Sequence, residues 1–81
     1  MQVKILYKAE RWLDDAPLEL QDRIREKLKF YSSQINPISF GGKLTDREGY
    51  KFRVGNYRVI CVIKDGIMYV SKIERRDKAY D

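Results

Sequence analysis

Residues 50–63 read Tyr50-Lys51-Phe52-Arg53-Val54-Gly55-Asn56-Tyr57-Arg58-Val59-Ile60-Cys61-Val62-Ile63. Tyr50, Phe52 and Val54 alternate with Lys51 and Arg53, the period of a strand with one buried face. Gly55-Asn56 fits a tight two-residue loop, because both residue types tolerate positive φ. From Tyr57 the chain is apolar apart from Arg58, which suits a central strand covered on both faces. The loop fixes the pairing as Val54 with Tyr57, Arg53 with Arg58, Phe52 with Val59 and Lys51 with Ile60. Paired residues share a face, so Phe52 and Val59 point to the core while Lys51, Arg53 and Arg58 gather on the other side.

Downstream, Asp65-Gly66 supplies a turn and Ile67 to Ile73 another strand. A two-residue turn would aim Lys72 at the core. A three-residue Lys64-Asp65-Gly66 loop with Gly66 at positive φ pairs Arg58 with Lys72, and is the expected register. Lys72, Glu74 and Arg76 then join the face of Lys51, Arg53 and Arg58, and Tyr80 comes to the same site. Upstream, Ile38 to Gly49 reads as a loop containing Gly41-Gly42 and the polar run Thr45-Asp46-Arg47-Glu48. Before it, Leu20, Ile24, Leu28, Tyr31 and Ile35 form one apolar stripe of a helix that begins near Leu18 and ends at Asn36-Pro37. Ala9, Trp12 and Leu13 fit a shorter helical turn, interrupted by Asp14-Asp15-Ala16-Pro17. Gln2 to Tyr7 alternates as a strand. The expected architecture is one α+β domain over residues 1–81: a short N-terminal strand, two helices, then an antiparallel three-stranded meander with the helices on one sheet face.

A chain of 81 residues supports a single small core, and 43% hydrophobic with 36% charged residues suits a soluble globular fold. There is no histidine and only one cysteine, Cys61, inside an apolar run where packing is its expected role. No internal disulfide, zinc site or cofactor is expected, and histidine acid–base chemistry is excluded. The N-terminus lacks the apolar core and cleavage site of a secretory signal, and no stretch is long enough to span a bilayer, so the expected address is the cytoplasm. The net charge is +5. Residues 8–29 carry six basic and six acidic side chains, whereas residues 43–58 carry five basic and two acidic, so the positive charge gathers in the second half. Gly41-Gly42-Lys43 is not a phosphate-binding P-loop, since Leu44 follows the lysine and the earlier glycine is missing.

Arg53 directly opposite Arg58 is unfavourable unless an anion or carboxylate lies between them. Glu74 is the candidate carboxylate, in which case the face is merely a solvated, neutralised surface. Without such a counter-charge, guanidinium groups that clamp phosphate and a phenol that stacks on an unpaired base suit single-stranded RNA. Tyr80 is otherwise a frayed terminus.

Residues 50–60, followed by Lys72-Ile73-Glu74-Arg75-Arg76 and Ala79-Tyr80 and preceded by Lys43-Leu44, resemble the RelE toxins of the RelE/ParE superfamily over essentially the whole chain. The resemblance implies a RelE-like toxin domain of a toxin–antitoxin pair, a metal-independent endoribonuclease that cuts mRNA in the ribosomal A site by attack of the ribose 2′-OH on the adjacent phosphate. It implies catalytic roles for Lys51, Arg58, Arg76 and Tyr80, and RNA binding by Lys43, Arg53, Lys72, Arg75 and Lys78. Either Lys51 or Tyr80 accepts the proton, while Arg58 and Arg76 stabilise charge on the phosphate. The implied partners are a cognate antitoxin, the ribosome and mRNA.

Three departures stand out. Arg53 replaces a second lysine of some members, and arginine binds phosphate without readily taking a proton. Glu74 replaces a glycine of many members. The chain also ends one residue after Tyr80, implying no closing C-terminal helix and a groove that an antitoxin helix would cover. Two further readings stay open: a gyrase-inhibiting toxin of the ParE branch, and an inactive relative that only binds a partner protein.

Overall fold

The structure, a computed structural model, describes residues 1–75. In chain order it comprises β1 (Gln2–Ile5), α1 (Tyr7–Asp14), α2 (Leu18–Ser33), a 3-10 turn (Pro37–Phe40), β2 (Gly42–Lys43), β3 (Tyr50–Val54), β4 (Tyr57–Lys64) and β5 (Ile67–Arg75). The strands form one mixed sheet in the order β1-β5-β4-β3-β2, antiparallel except where β1 runs parallel to β5. The expected α+β fold is thus observed, with the three-stranded meander widened at both edges.

The hairpin has the expected register: Lys51 opposite Ile60, Phe52 opposite Val59, Arg53 opposite Arg58 and Val54 opposite Tyr57. Gly55 takes φ 59° and Asn56 does not go positive, as in the tight turns that require glycine at the first central position. The second turn differs from the expected three-residue loop. Lys64 pairs with Ile67, so only Asp65 and Gly66 intervene, at φ 53° and 75°. A turn with both central residues left-handed matches the twist of the flanking strands, and Asp tolerates that conformation. The extra residue falls later, in β5: Cys61 pairs with Val70 but Ile60 with Lys72, leaving Ser71 as a bulge. Its hydroxyl donates to the Ile60 carbonyl at 3.2 Å. The bulge restores the alternation that the short turn would have inverted, so Lys72 still points away from the helices.

Both helices cover one sheet face. Ala9 and Leu13 of α1 and Ile24, Leu28 and Tyr31 of α2 pack on Phe52, Val54, Val59, Cys61, Met68, Val70 and Ile73, all buried. Burial pushes the Cys61 thiol up to about 12, as befits a packing residue. Trp12 meets Tyr57 edge-on at 5.5 Å, holding α1 against β4. Tyr31 stacks at 4.9 Å on Phe52 and donates its hydroxyl to the Arg53 carbonyl at 3.0 Å, tying α2 to β3.

Three other segments differ from what the sequence pattern suggests. Tyr7 belongs to α1, where Leu6 already has extended cap geometry, so β1 stops at Ile5. Ile35 is fully exposed, because α2 ends at Ser33 and Gln34 is extended, which carries Ile35 off the stripe. The segment expected as plain loop holds the 3-10 turn, with buried Pro37 at its start, and the edge strand β2.

Candidate nucleic-acid interface

The sheet face opposite the helices carries the basic cluster. Lys51 and Arg53 of β3, Arg58 of β4 and Lys72 of β5 lie on it, with Ile60 between Lys51 and Lys72 and Glu74 opposite Arg58. Each is placed by strand alternation, Lys72 and Glu74 only with the help of the Ser71 bulge. The 44–49 loop rises beside them, closed by the Leu44 amide donating to the Gly49 carbonyl at 3.0 Å. Two hollows result. One, about 330 Å³, is bounded by Phe40, Gly41, Gly42, Lys51, Arg53, Tyr57 and Arg58. The other, about 300 Å³, runs from Leu44, Thr45, Asp46 and Arg47 to Lys51, Arg58, Ile60 and Glu74. Lys51 and Arg58 border both.

Two contacts relieve the repulsion between the facing arginines. Arg53 turns back on its own hairpin, its Nε donating to the Gly55 carbonyl at 3.2 Å. Arg58 donates from Nε to Glu74 Oε1 at 3.1 Å, with Nη2 2.9 Å from the same oxygen, and Lys72 Nζ lies 3.3 Å from Oε2. Glu74 therefore points into the cationic face. Partial burial on its own would raise the Glu74 carboxyl, but the hydrogen bonds and charges of Lys72 and Arg58 outweigh it and hold the group below its ordinary value. Even so, four cations face one carboxylate across these three strands.

A carboxyl lowered on folding adds stability that is fully present above its unfolded value and lost as pH falls through its folded one. Both partners are about one-quarter exposed, so the contribution stays under about 1 kcal/mol. Urea unfolding should thus show Glu74→Gln matching the wild type in acid, where the wild-type carboxyl is protonated. The variant should fall slightly behind above the ordinary carboxylate value. Identical curves throughout would dismiss the ion pair.

Not every residue proposed from sequence joins this face. Lys43 pairs with Tyr50 and Arg75 with Tyr57, so alternation sends both towards the helix side. Both are exposed there. Arg76, Lys78 and Tyr80 lie outside the described residues. The sequence reading passed over Phe40, Asp46 and Arg47, which form the walls. A phenylalanine directly before the Gly41-Gly42 pair, in a segment between the helix and the basic hairpin, was the available signal. Among the described residues, no three His, Cys, Asp or Glu side chains converge as metal ligands, and no helix is long and apolar enough to cross a membrane.

A strand, two helices on one face and a mixed five-stranded sheet are the architecture of two solved toxin–antitoxin chains, a RelE-like fold. A chain of the toxin–antitoxin complex RelBE2 from Mycobacterium tuberculosis matches with a TM-score of 0.77 at 22% identity, over 94% of this chain and 92% of that one. A chain of the archaeal RelE–RelB complex from Pyrococcus horikoshii OT3 matches with a TM-score of 0.73 at 23% identity, over 95% and 96%. No protein-family model and no curated protein matches the chain.

Proposed function

We propose that the chain is the toxin of a toxin–antitoxin pair and acts as a metal-independent endoribonuclease on mRNA in the ribosomal A site. The observation that carries this reading is the gathering of Lys51, Arg53, Arg58 and Lys72 on the open face of a RelE-like sheet, the first three lining a hollow of about 330 Å³. Arg53 and Lys72 bind the RNA backbone as charge partners of phosphate. Lys78 remains an RNA-binding candidate, whereas Lys43 and Arg75 turn to the helix side of the sheet. Arg58 and Arg76 stabilise the phosphate in the transition state.

The reaction needs a base for the ribose 2′-OH, and Lys51 or Tyr80 fills that role. The 2′-oxygen bonds to phosphorus, the P–O5′ bond breaks, and the 5′-oxygen leaves with a proton, leaving a 2′,3′-cyclic phosphate. No metal enters this scheme. A cognate antitoxin, such as those in the complexes containing the matching chains, covers the toxin until release.

Toeprinting on ribosomes translating a defined message tests the reading. Cuts should appear within the A-site codon on adding the protein, and Arg76→Ala should remove them. Intact message would sink the nuclease. Glu74, ion-paired to Arg58 and Lys72, favours a second reading in which the chain only binds its partner. Growth arrest on expression without any antitoxin would exclude that reading.

A further inference from the structure

Phe40 is 46% exposed at the end of the 3-10 turn, yet its ring is firmly supported. Phe30 meets it edge-on at 5.5 Å and Tyr31 lies 6.1 Å away, itself stacked on buried Phe52. An aromatic column thus runs from the core to the rim of the basic hollow, where Phe40 stands with Lys51, Arg53 and Arg58.

The two residues after it keep the rim close and open. A Cβ on Gly41 would come within 2.7 Å of the Lys51 carbonyl and 2.8 Å of the Phe52 ring, so the backbone here hugs β3. Gly42 sits opposite Lys51 in the ladder, and a Cβ on it would stand 3.2 Å from Lys51 Cε. With glycine there, nothing projects between Phe40 and the Lys51 side chain. A rigid exposed ring beside clustered cations provides the two elements that hold single-stranded nucleic acid: charge for the phosphate and a π-face for the base.

We infer that Phe40 is a stacking platform for an unpaired RNA base whose neighbouring phosphate rests on Lys51, Arg53 and Arg58. The inference rests on the nuclease reading above and adds a base contact on the β2 side of the cleft. Because every base presents a π-face, the contact strengthens binding without dictating sequence.

Single-turnover cleavage on ribosomes programmed with synthetic messages tests it. The messages are either intact or carry one abasic nucleotide on the 5′ or the 3′ side of the cut. Phe40→Leu should slow cleavage of the intact message about tenfold, whereas Phe40→Trp should retain the wild-type rate. One of the abasic messages should slow the wild type by the same factor and leave Phe40→Leu no slower than before, since both changes remove one contact.

A wild type unaffected by either abasic message overturns the inference whatever the variants do, so a poorly folded variant cannot protect it. Losses that multiply overturn it too, since they show that the ring and the base act independently. If the wild type leaves the intact message uncut, the nuclease reading itself falls and this contact with it. Cutting that is indifferent to Phe40 removes the stacking contact alone.

Discussion

Arg58→Ala is expected to slow A-site cleavage by about 100- to 1,000-fold, the usual cost of removing one pre-positioned donor from a developing oxyanion. Arg58 borders both hollows and sits on a central strand between β3 and β5. Its guanidinium is held by Glu74 at 2.9 Å, so it is oriented before any RNA arrives. Phosphate oxygens would take over contacts that the carboxylate now makes, an exchange between two anions on one fixed cation. Lysine at this position would keep the charge but lose the bidentate fork, so Arg58→Lys should recover only part of the rate. The thermal midpoint supplies the control. A pair this exposed contributes under about 1 kcal/mol, so the variant should melt close to the wild type while losing its cleavage. A variant that cuts normally would remove Arg58 from the chemistry.

Phe52→Ala should have the largest effect on stability. Its side chain is wholly buried on the core side of β3, with Tyr31 stacked on it at 4.9 Å. Truncating such a ring costs about 3–5 kcal/mol from lost burial plus the cavity left behind. A domain of this size has roughly 4–12 kcal/mol in total. Urea denaturation should therefore show the midpoint collapse, with a substantial unfolded fraction even in dilute buffer. The damage would reach the site as well, because Phe52 lies between Lys51 and Arg53 in the chain and meets the backbone at Gly41. A loss under about 1 kcal/mol would mean that the core re-forms around the gap.

The hairpin was legible because two local signals agreed. Gly55-Asn56 set the loop length, and the alternation of Phe52 and Val54 with Lys51 and Arg53 set the faces, so register and cation cluster followed together. α2 was legible from its stripe up to Tyr31. Ile35 misled because it continues the spacing in sequence after the backbone has left the helix. The second turn was harder. Its two possible lengths differ by one residue, and the structure absorbs that residue as a bulge at Ser71, a tertiary choice without a local marker in an otherwise regular strand. Lys72 and Glu74 reached the expected face by this different route. The two-residue strand β2 is held only by its pairing to β3, so nothing intrinsic to Gly42-Lys43 announces it or the side to which Lys43 turns. Glu74 was singled out from sequence as the residue able to neutralise the face, but its preference for Lys72 as second partner depends on spacing that only the folded strands supply.

The order of the strands has a consequence for synthesis. β5, last in the chain among the described strands, lies between β1 and β4. Until it emerges, β1 has no neighbour to pair with, and α1 has no Val70 or Ile73 beneath it. The β3–β4 hairpin can pair locally, but Lys72 and Glu74 are absent from its open face. Closing the sheet joins segments more than sixty residues apart, a slow, non-local step. Until β5 takes its place between β1 and β4, Lys72 and Glu74 cannot join Lys51, Arg53 and Arg58, so the complete charged face and the closed sheet form in the same step.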